Sequence, residues 1–273
     1  MTSSPWKPFK FFAKRFEERK RLITPFVKRF GGPAIIHANP DTKTFEKILR
    51  EGKLRIPSDQ GSPVKCPYLS KDLGIDNVVY FSLGFVYATA YGYRYNFLFD
   101  TTFLKELTYY KGGVSYICYR NVVRYLYAHD KPYLEKLARH SPECKAVLDK
   151  FYHEPYKGKV LRQLDFWRIE EPLYHAIMKH PHKKKLMRII KETAKGLSST
   201  YPYSRTHAMK NYLTDATPEI LSQHTIDLHK NPHFIGVYIH GKLPKSSLRL
   251  LQKHYPDKLL FDGKRFRKIA MVK

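Results

Sequence analysis

The stretch from Ile75 to Phe103, IDNVVYFSLGFVYATAYGYRYNFLFDTTF, most constrains what this chain can fold into. It joins a β-branched and aromatic run (Val78, Val79, Tyr80, Phe81), a helix-compatible patch around Ala88 to Ala90, and a second apolar run (Phe97, Leu98, Phe99) that stops at Asp100. The pattern predicts strand, short helix, strand. A buried strand ending in Ser82 and followed by Tyr87, Tyr91 and Tyr93 puts hydroxyls and flat rings where a strand meets a helix, a place suited to a planar ligand. The same rings serve equally well as plain core, and this stretch alone leaves both readings open.

Charge narrows the choice of partner. The 273 residues hold 50 Lys+Arg against 24 Asp+Glu, a formal charge of +26. Such self-repulsion is best tolerated beside a polyanion, so nucleic acid leads, with peripheral contact to an anionic membrane or an acidic protein as the other options. Hydrophobic residues at 42% and aromatics at 15% are enough for a real core. Cys66, Cys118 and Cys144 are scattered with no CxxC pair, which fits the cytoplasm or another reducing compartment. No apolar run approaches the length of a membrane-spanning helix.

Along the chain, residues 1–33 form a basic aromatic arm. Phe9, Phe12 and Phe16 share a face of a helix expected from about Pro8 to Leu22, and Lys10, Lys14 and Arg15 are candidate phosphate contacts. Ala34 to His37 reads as a short buried strand closed by a histidine. A helix follows, carrying Phe45, Ile48 and Leu49, with Gly52 placed to end it in a left-handed cap. Residues 56–74 read as a long loop, and a helical insertion is expected over about 103–158.

At DFWRIEE, Asp165, Trp167, Ile169 and Glu171 share one face if the segment is a strand, which makes Asp165 and Glu171 candidates to accept a proton or stabilise a cation. A second insertion, about 183–230, opens on the densest internal basic run, with Lys183, Lys184, Lys185 and Arg188 as candidate phosphate contacts. His175, His180 and His182 fit no zinc spacing, and no metal is expected. His233 to Leu251 reads as a strand and a helix capped by Ser246 or Ser247. The terminal turn adds Lys264, Arg265 and Arg267 to the basic residues. There is no P-loop, GxGxxG, HExxH or GxSxG.

The fold expected is α+β. Two small antiparallel or mixed sheets would use strands near 34–37, 78–82, 96–100, 165–171 and 234–240, with helices outside and residues 34–273 forming one domain.

Taken together, a strand ending in His37, the helix FEKILREGKL, the block DNVVYFSLGFVYATAYG, the acid-bearing DFWRIEE and the final VYIHGKLPKSSLRLL resemble the ADP-ribosyltransferase superfamily, most of all its DarT-like bacterial toxin branch. The likeness runs over roughly residues 34–250. It implies NAD as substrate and nucleic acid as acceptor or partner. By resemblance, His37 would hold the NAD ribose or diphosphate, Tyr80, Phe81 and Tyr91 would frame the nicotinamide, and Ser82 would stand at the end of the second strand. Glu171 or Asp165 would supply the acid that steadies the ribose cation as nicotinamide leaves. The alternative is a non-enzymatic basic protein, nucleic-acid-associated or structural in a particle, on a degenerate form of that fold.

Overall fold

The computed structural model describes residues 7–60, 69–85, 88–89, 92–110, 114–140, 142, 144–145, 148, 169–199 and 219–272. The chain divides into two compact units. One comprises Met1–Gln60, Val78–Tyr109 and Thr200–Lys273, the other Gly61–Asn77 and Tyr110–Ser199.

The first unit is built on a large mixed sheet. Its strands are β1 (Ile35–Asn39), β3 (Val79–Leu83), β4 (Tyr95–Phe99), β5 (Thr108–Tyr110), β7 (Glu219–Ser222), β9 (Phe234–Ile239), β10 (Leu259–Phe261) and β11 (Phe266–Lys268), in the spatial order β11-β10-β9-β4-β1-β3-β7-β5. The resolved ladders are antiparallel except β9 with β10. A small antiparallel pair, β2 (Lys53–Leu54) with β8 (Ile226–Asp227), lies apart from the sheet. The α+β class expected from sequence is therefore present, but the strands join one large sheet instead of two small ones. Four of the five expected strands have counterparts at β1, β3, β4 and β9. The fifth lies largely outside the described residues.

β4 is buried along its whole length, because both faces of the sheet are covered there. On one face Phe45, from α2 (Thr42–Glu51), stacks on Tyr95 with ring centroids 4.5 Å apart and also meets Phe97. Phe97 pairs with Val237, so Tyr238 points to the opposite face. There Phe85 packs on Tyr238 and Phe261, and Phe26 of α1 (Lys7–Phe30) packs on Phe85 and Phe266. The helix thus runs further than the 8–22 read from its aromatic spacing. Its second half belongs to the core, where Leu22, Ile23 and Phe26 are buried.

Local signals explain α2. Asp41 sits in extended backbone and its side chain accepts from the Thr44 N–H at 2.7 Å, capping the start. Phe45, Ile48 and Leu49 bury one face, and Gly52 (φ 67°) ends the helix. A Cβ at Gly52 would lie 2.4 Å from the His229 ring, so space as well as backbone favours glycine. In α8 (Lys245–His254), Ser246 and Ser247 lie inside the first turn and not at the cap. Their hydroxyls donate to Glu46 Oε1 at 2.7 and 2.8 Å, tying α8 to α2.

The second unit is helical: α3 (Leu69–Asp72), α4 (Val114–His129), α5 (Lys131–His140), α6 (Glu170–Lys179) and α7 (Lys183–Leu197), with β6 (Ser198–Ser199) after it. α4 and α7 pack closely; Cys118 Sγ donates to the Ile190 carbonyl at 3.4 Å and Asn121 Nδ2 to Thr193 Oγ1 at 3.1 Å. His180 joins the helix ends. Its Nδ1 accepts from the His182 N–H at 3.0 Å, which leaves Nε2 as the donor to Asp130 Oδ2, also at 3.0 Å. Both ring nitrogens of this buried histidine are therefore occupied structurally. Among the described residues no helix is long and apolar enough to cross a membrane.

Candidate functional site

The first unit contains a cavity of about 230 Å³ lined by His37, Asn39, Thr44, Lys47, Ile48, Glu51, Lys53, Leu54, Arg55 and Gln60. Three elements converge on it. β1 delivers His37 and Asn39, α2 delivers Thr44, Lys47, Ile48 and Glu51, and the chain after Gly52 turns back to deliver Lys53 to Arg55. The left-handed cap at Gly52 makes this reversal, and Leu228 N–H holds it by donating to the Gly52 carbonyl at 2.7 Å.

His37 has a defined tautomer. Nδ1 lies 2.9 Å from the backbone carbonyl of Tyr80, which can only accept, so Nδ1 carries the proton. Burial lowers the His37 pKa from its ordinary 6.5, with the Tyr80 carbonyl opposing the effect in part. The ring is therefore neutral at pH 7, with Nε2 as an acceptor. Phe81 meets its edge at 5.9 Å and Phe97 lies 6.2 Å away.

Around this neutral ring the cavity is cationic. Lys47, Lys53 and Arg55 face a single carboxylate, Glu51, which takes Arg55 Nε at 2.9 Å and Lys47 Nζ at 4.0 Å. The lining keeps an excess of positive charge beside a hydrogen-bond acceptor. That combination suits a ligand presenting a hydroxyl and an anionic group together, such as a sugar phosphate.

The other residues singled out from sequence separate into distinct situations. Tyr80 leaves its side chain 41% exposed while its carbonyl orients His37. Phe81 is buried against Phe99 and Phe103, with centroids 5.5 and 5.6 Å away, so its ring is core rather than cleft wall. Ser82 is also buried, its hydroxyl within donating reach of the carbonyls of Ile36 (3.4 Å) and Gly84 (3.3 Å). Tyr91 and Asp165 lie outside the described residues.

Glu171 does not stand at a strand end. Glu170 and Glu171 open α6, in the second unit, where acids favour a helix N-terminus, Pro172 is tolerated in the first turn, and Leu173 and Ile177 bury one face at helical spacing. Glu171 is exposed, 3.9 Å from His175 Nε2. Its neighbour Glu170 is buried, and burial raises its pKa to about 7, an effect that the Tyr119 hydroxyl offsets in part.

Of the basic candidates, Lys183, Lys184, Lys185 and Arg188 are exposed on α7. Lys264, Arg265 and Arg267 surround Asp262, whose carboxylate accepts the Lys264 and Arg265 N–H groups and lies 3.7 Å from both guanidinium groups. Lys10, Lys14 and Arg15 lie on α1, with side chains outside the described residues.

One strand escaped the sequence reading. β7 begins at Glu219, one residue beyond the Phe81–Ile220 partnership, so its backbone is in register with Ser82 and Ile36, one step out of alternation with His37. The available signal was small: two apolar residues, Ile220 and Leu221, behind Pro218. Comparison of the chain with protein-family models, curated proteins and solved structures returns no match.

Proposed function

We propose that the first unit binds NAD with its diphosphate and one ribose at the His37 cavity and transfers ADP-ribose to nucleic acid. The observation that carries this reading is the neutral His37 acceptor set among Lys47, Lys53 and Arg55. Nε2 would accept a ribose hydroxyl while the cations meet the phosphates. At about 230 Å³ the cavity is smaller than pockets that enclose a whole drug-sized ligand, roughly 300–1,000 Å³, so the nicotinamide half would lie outside it.

In the reaction the bond between nicotinamide nitrogen and ribose C1 breaks, the electron pair leaving with nicotinamide. A lone pair of the acceptor closes on C1, and the acceptor loses its proton to a base. A carboxylate near C1 steadies the cationic ribose in between.

The test is titration of the full chain with NAD, together with nicotinamide release and transfer of labelled ADP-ribose to DNA and RNA. Saturable binding, weakened about threefold to tenfold in His37→Ala, is the expected result. A parent protein that neither binds NAD nor releases nicotinamide ends this reading. The exposed cations of α7 favour the second reading, a non-enzymatic nucleic-acid-binding protein, which oligonucleotide binding without nicotinamide release would support.

A further inference from the structure

α7 sorts its residues by side. Leu186, Ile190 and Ala194 are buried. At 100° per residue they fall on one side of the helix, and Lys184, Arg188, Lys191 and Lys195 fall within a sector of about 60° on the other. All four are exposed. From Lys184 to Lys195 the rise is about 16.5 Å, so the cations form a straight stripe with gaps of about 4.5–6 Å along the axis. Lys185 is not part of it, since its Nζ sits 4.9 Å from the Tyr125 ring. The one carboxylate of α7 is Glu192, whose Oε1 is 3.8 Å from Arg188 Nε.

We propose that this stripe is a docking line for the phosphodiester backbone of nucleic acid. It rests on the nucleic-acid partner named above but not on NAD chemistry. Over about 16.5 Å, one strand of a duplex presents about five phosphates, at 3.4 Å of axial rise each, enough to engage all four cations. An anionic membrane fits less well: a helix that lies in a bilayer surface buries its apolar side in lipid, and here that side is already buried within the unit. The stripe consists of cations alone, so the contact is to the backbone and tolerates any sequence.

The experiment measures the full chain's affinity for a duplex and for a single-stranded oligonucleotide across a salt series. The test variant carries Lys184→Gln, Arg188→Gln, Lys191→Gln and Lys195→Gln. A control of equal charge change carries Lys230→Gln, Lys242→Gln, Arg249→Gln and Lys253→Gln, all exposed in the first unit.

Neutralising four phosphates contributes about 3.6 to the log–log slope on duplex and about 2.8 on single strands. The test variant should lose that much, and the control less than about 1. Glu192→Gln should tighten binding, by about twofold to threefold, a gain that misfolding cannot imitate. Equal losses in test and control variants overturn the stripe and leave net charge as the cause. Failure of the parent to bind at about 50 mM salt overturns it too, as does loss of phosphatidylserine-vesicle binding with oligonucleotide binding intact. Nicotinamide release is read in parallel: its absence with the expected salt result removes the NAD reading and leaves this inference standing.

Discussion

The backbone carbonyl of Tyr80 accepts a hydrogen bond from His37 Nδ1 at 2.9 Å, joining residues 43 apart in sequence across neighbouring strands. The bond fixes the ring's tautomer and its direction. Because the acceptor is a main-chain atom, any side chain at position 80 preserves it. His37→Ala should therefore weaken NAD binding about threefold to tenfold, the worth of one lost neutral hydrogen bond, while Tyr80→Ala leaves the His37 contribution in place. Calorimetric titration of both variants checks this, and equal effects would contradict it.

Glu171 supplies a kinetic test. On an exposed helix turn of the second unit, Glu171→Gln should leave the rate of ADP-ribose transfer near that of the parent. Single-turnover rates at saturating NAD check this, and a loss of about 10²-fold or more would restore Glu171 as the acid near the ribose.

Glu170 makes the second unit's stability depend on pH. Its folded pKa, about 7, is above the ordinary 4.5, so between those values the folded state holds a proton that the unfolded state has lost. Stability from this group is greatest below pH 4.5, declines as pH rises towards 7, and is then flat. Glu170→Gln removes the penalty, and should raise the melting temperature by roughly a few degrees at pH 8 with no gain near pH 4. Scanning calorimetry at the two pH values measures the difference.

His37 acts with the opposite slope. Its pKa is lowered on folding, so its contribution is present above the ordinary 6.5 and falls away as pH drops through the folded value. NAD affinity should accordingly stay nearly level from pH 8 to 7, where a ring with a pKa lowered below 6.5 is mainly neutral. A clear rise in affinity on acidification to pH 7 would show a protonated ring instead.

Gly52 couples fold to site. Gly52→Ala places a Cβ in left-handed backbone 2.4 Å from His229, and should cost more than about 1 kcal/mol of stability in urea unfolding. It should also loosen the reversal that brings Lys53 and Arg55 to the cavity, so NAD affinity falls even under conditions where the variant stays folded.

Much of the scaffold was legible locally. Ile35, Ile36, Val79 and Phe81, like Phe97 to Phe99 and Val237 to Ile239, are β-branched, aromatic or aliphatic runs with no helical spacing, and each lies in a strand. Asp41 and Gly52 bracket an apolar stripe of period 3.6, and α2 fills that interval. These signals work because backbone preference and side-chain period are properties of a few consecutive residues.

Tertiary structure alone decided the rest. Which strand lies beside which is set by long-range backbone hydrogen bonding, and backbone atoms leave no mark in the sequence. Hence one large sheet formed where two were expected, and Glu219 came to lie beside Ser82 from 137 residues away. Glu171 went the other way. Its segment fits both period 2 and period 3.6, and the burial of Leu173 and Ile177 in the second unit selected the helix. His37 could be identified as a histidine at a strand end, but its neutral, oriented state depends on desolvation and on a carbonyl supplied by another strand, which only the folded packing provides.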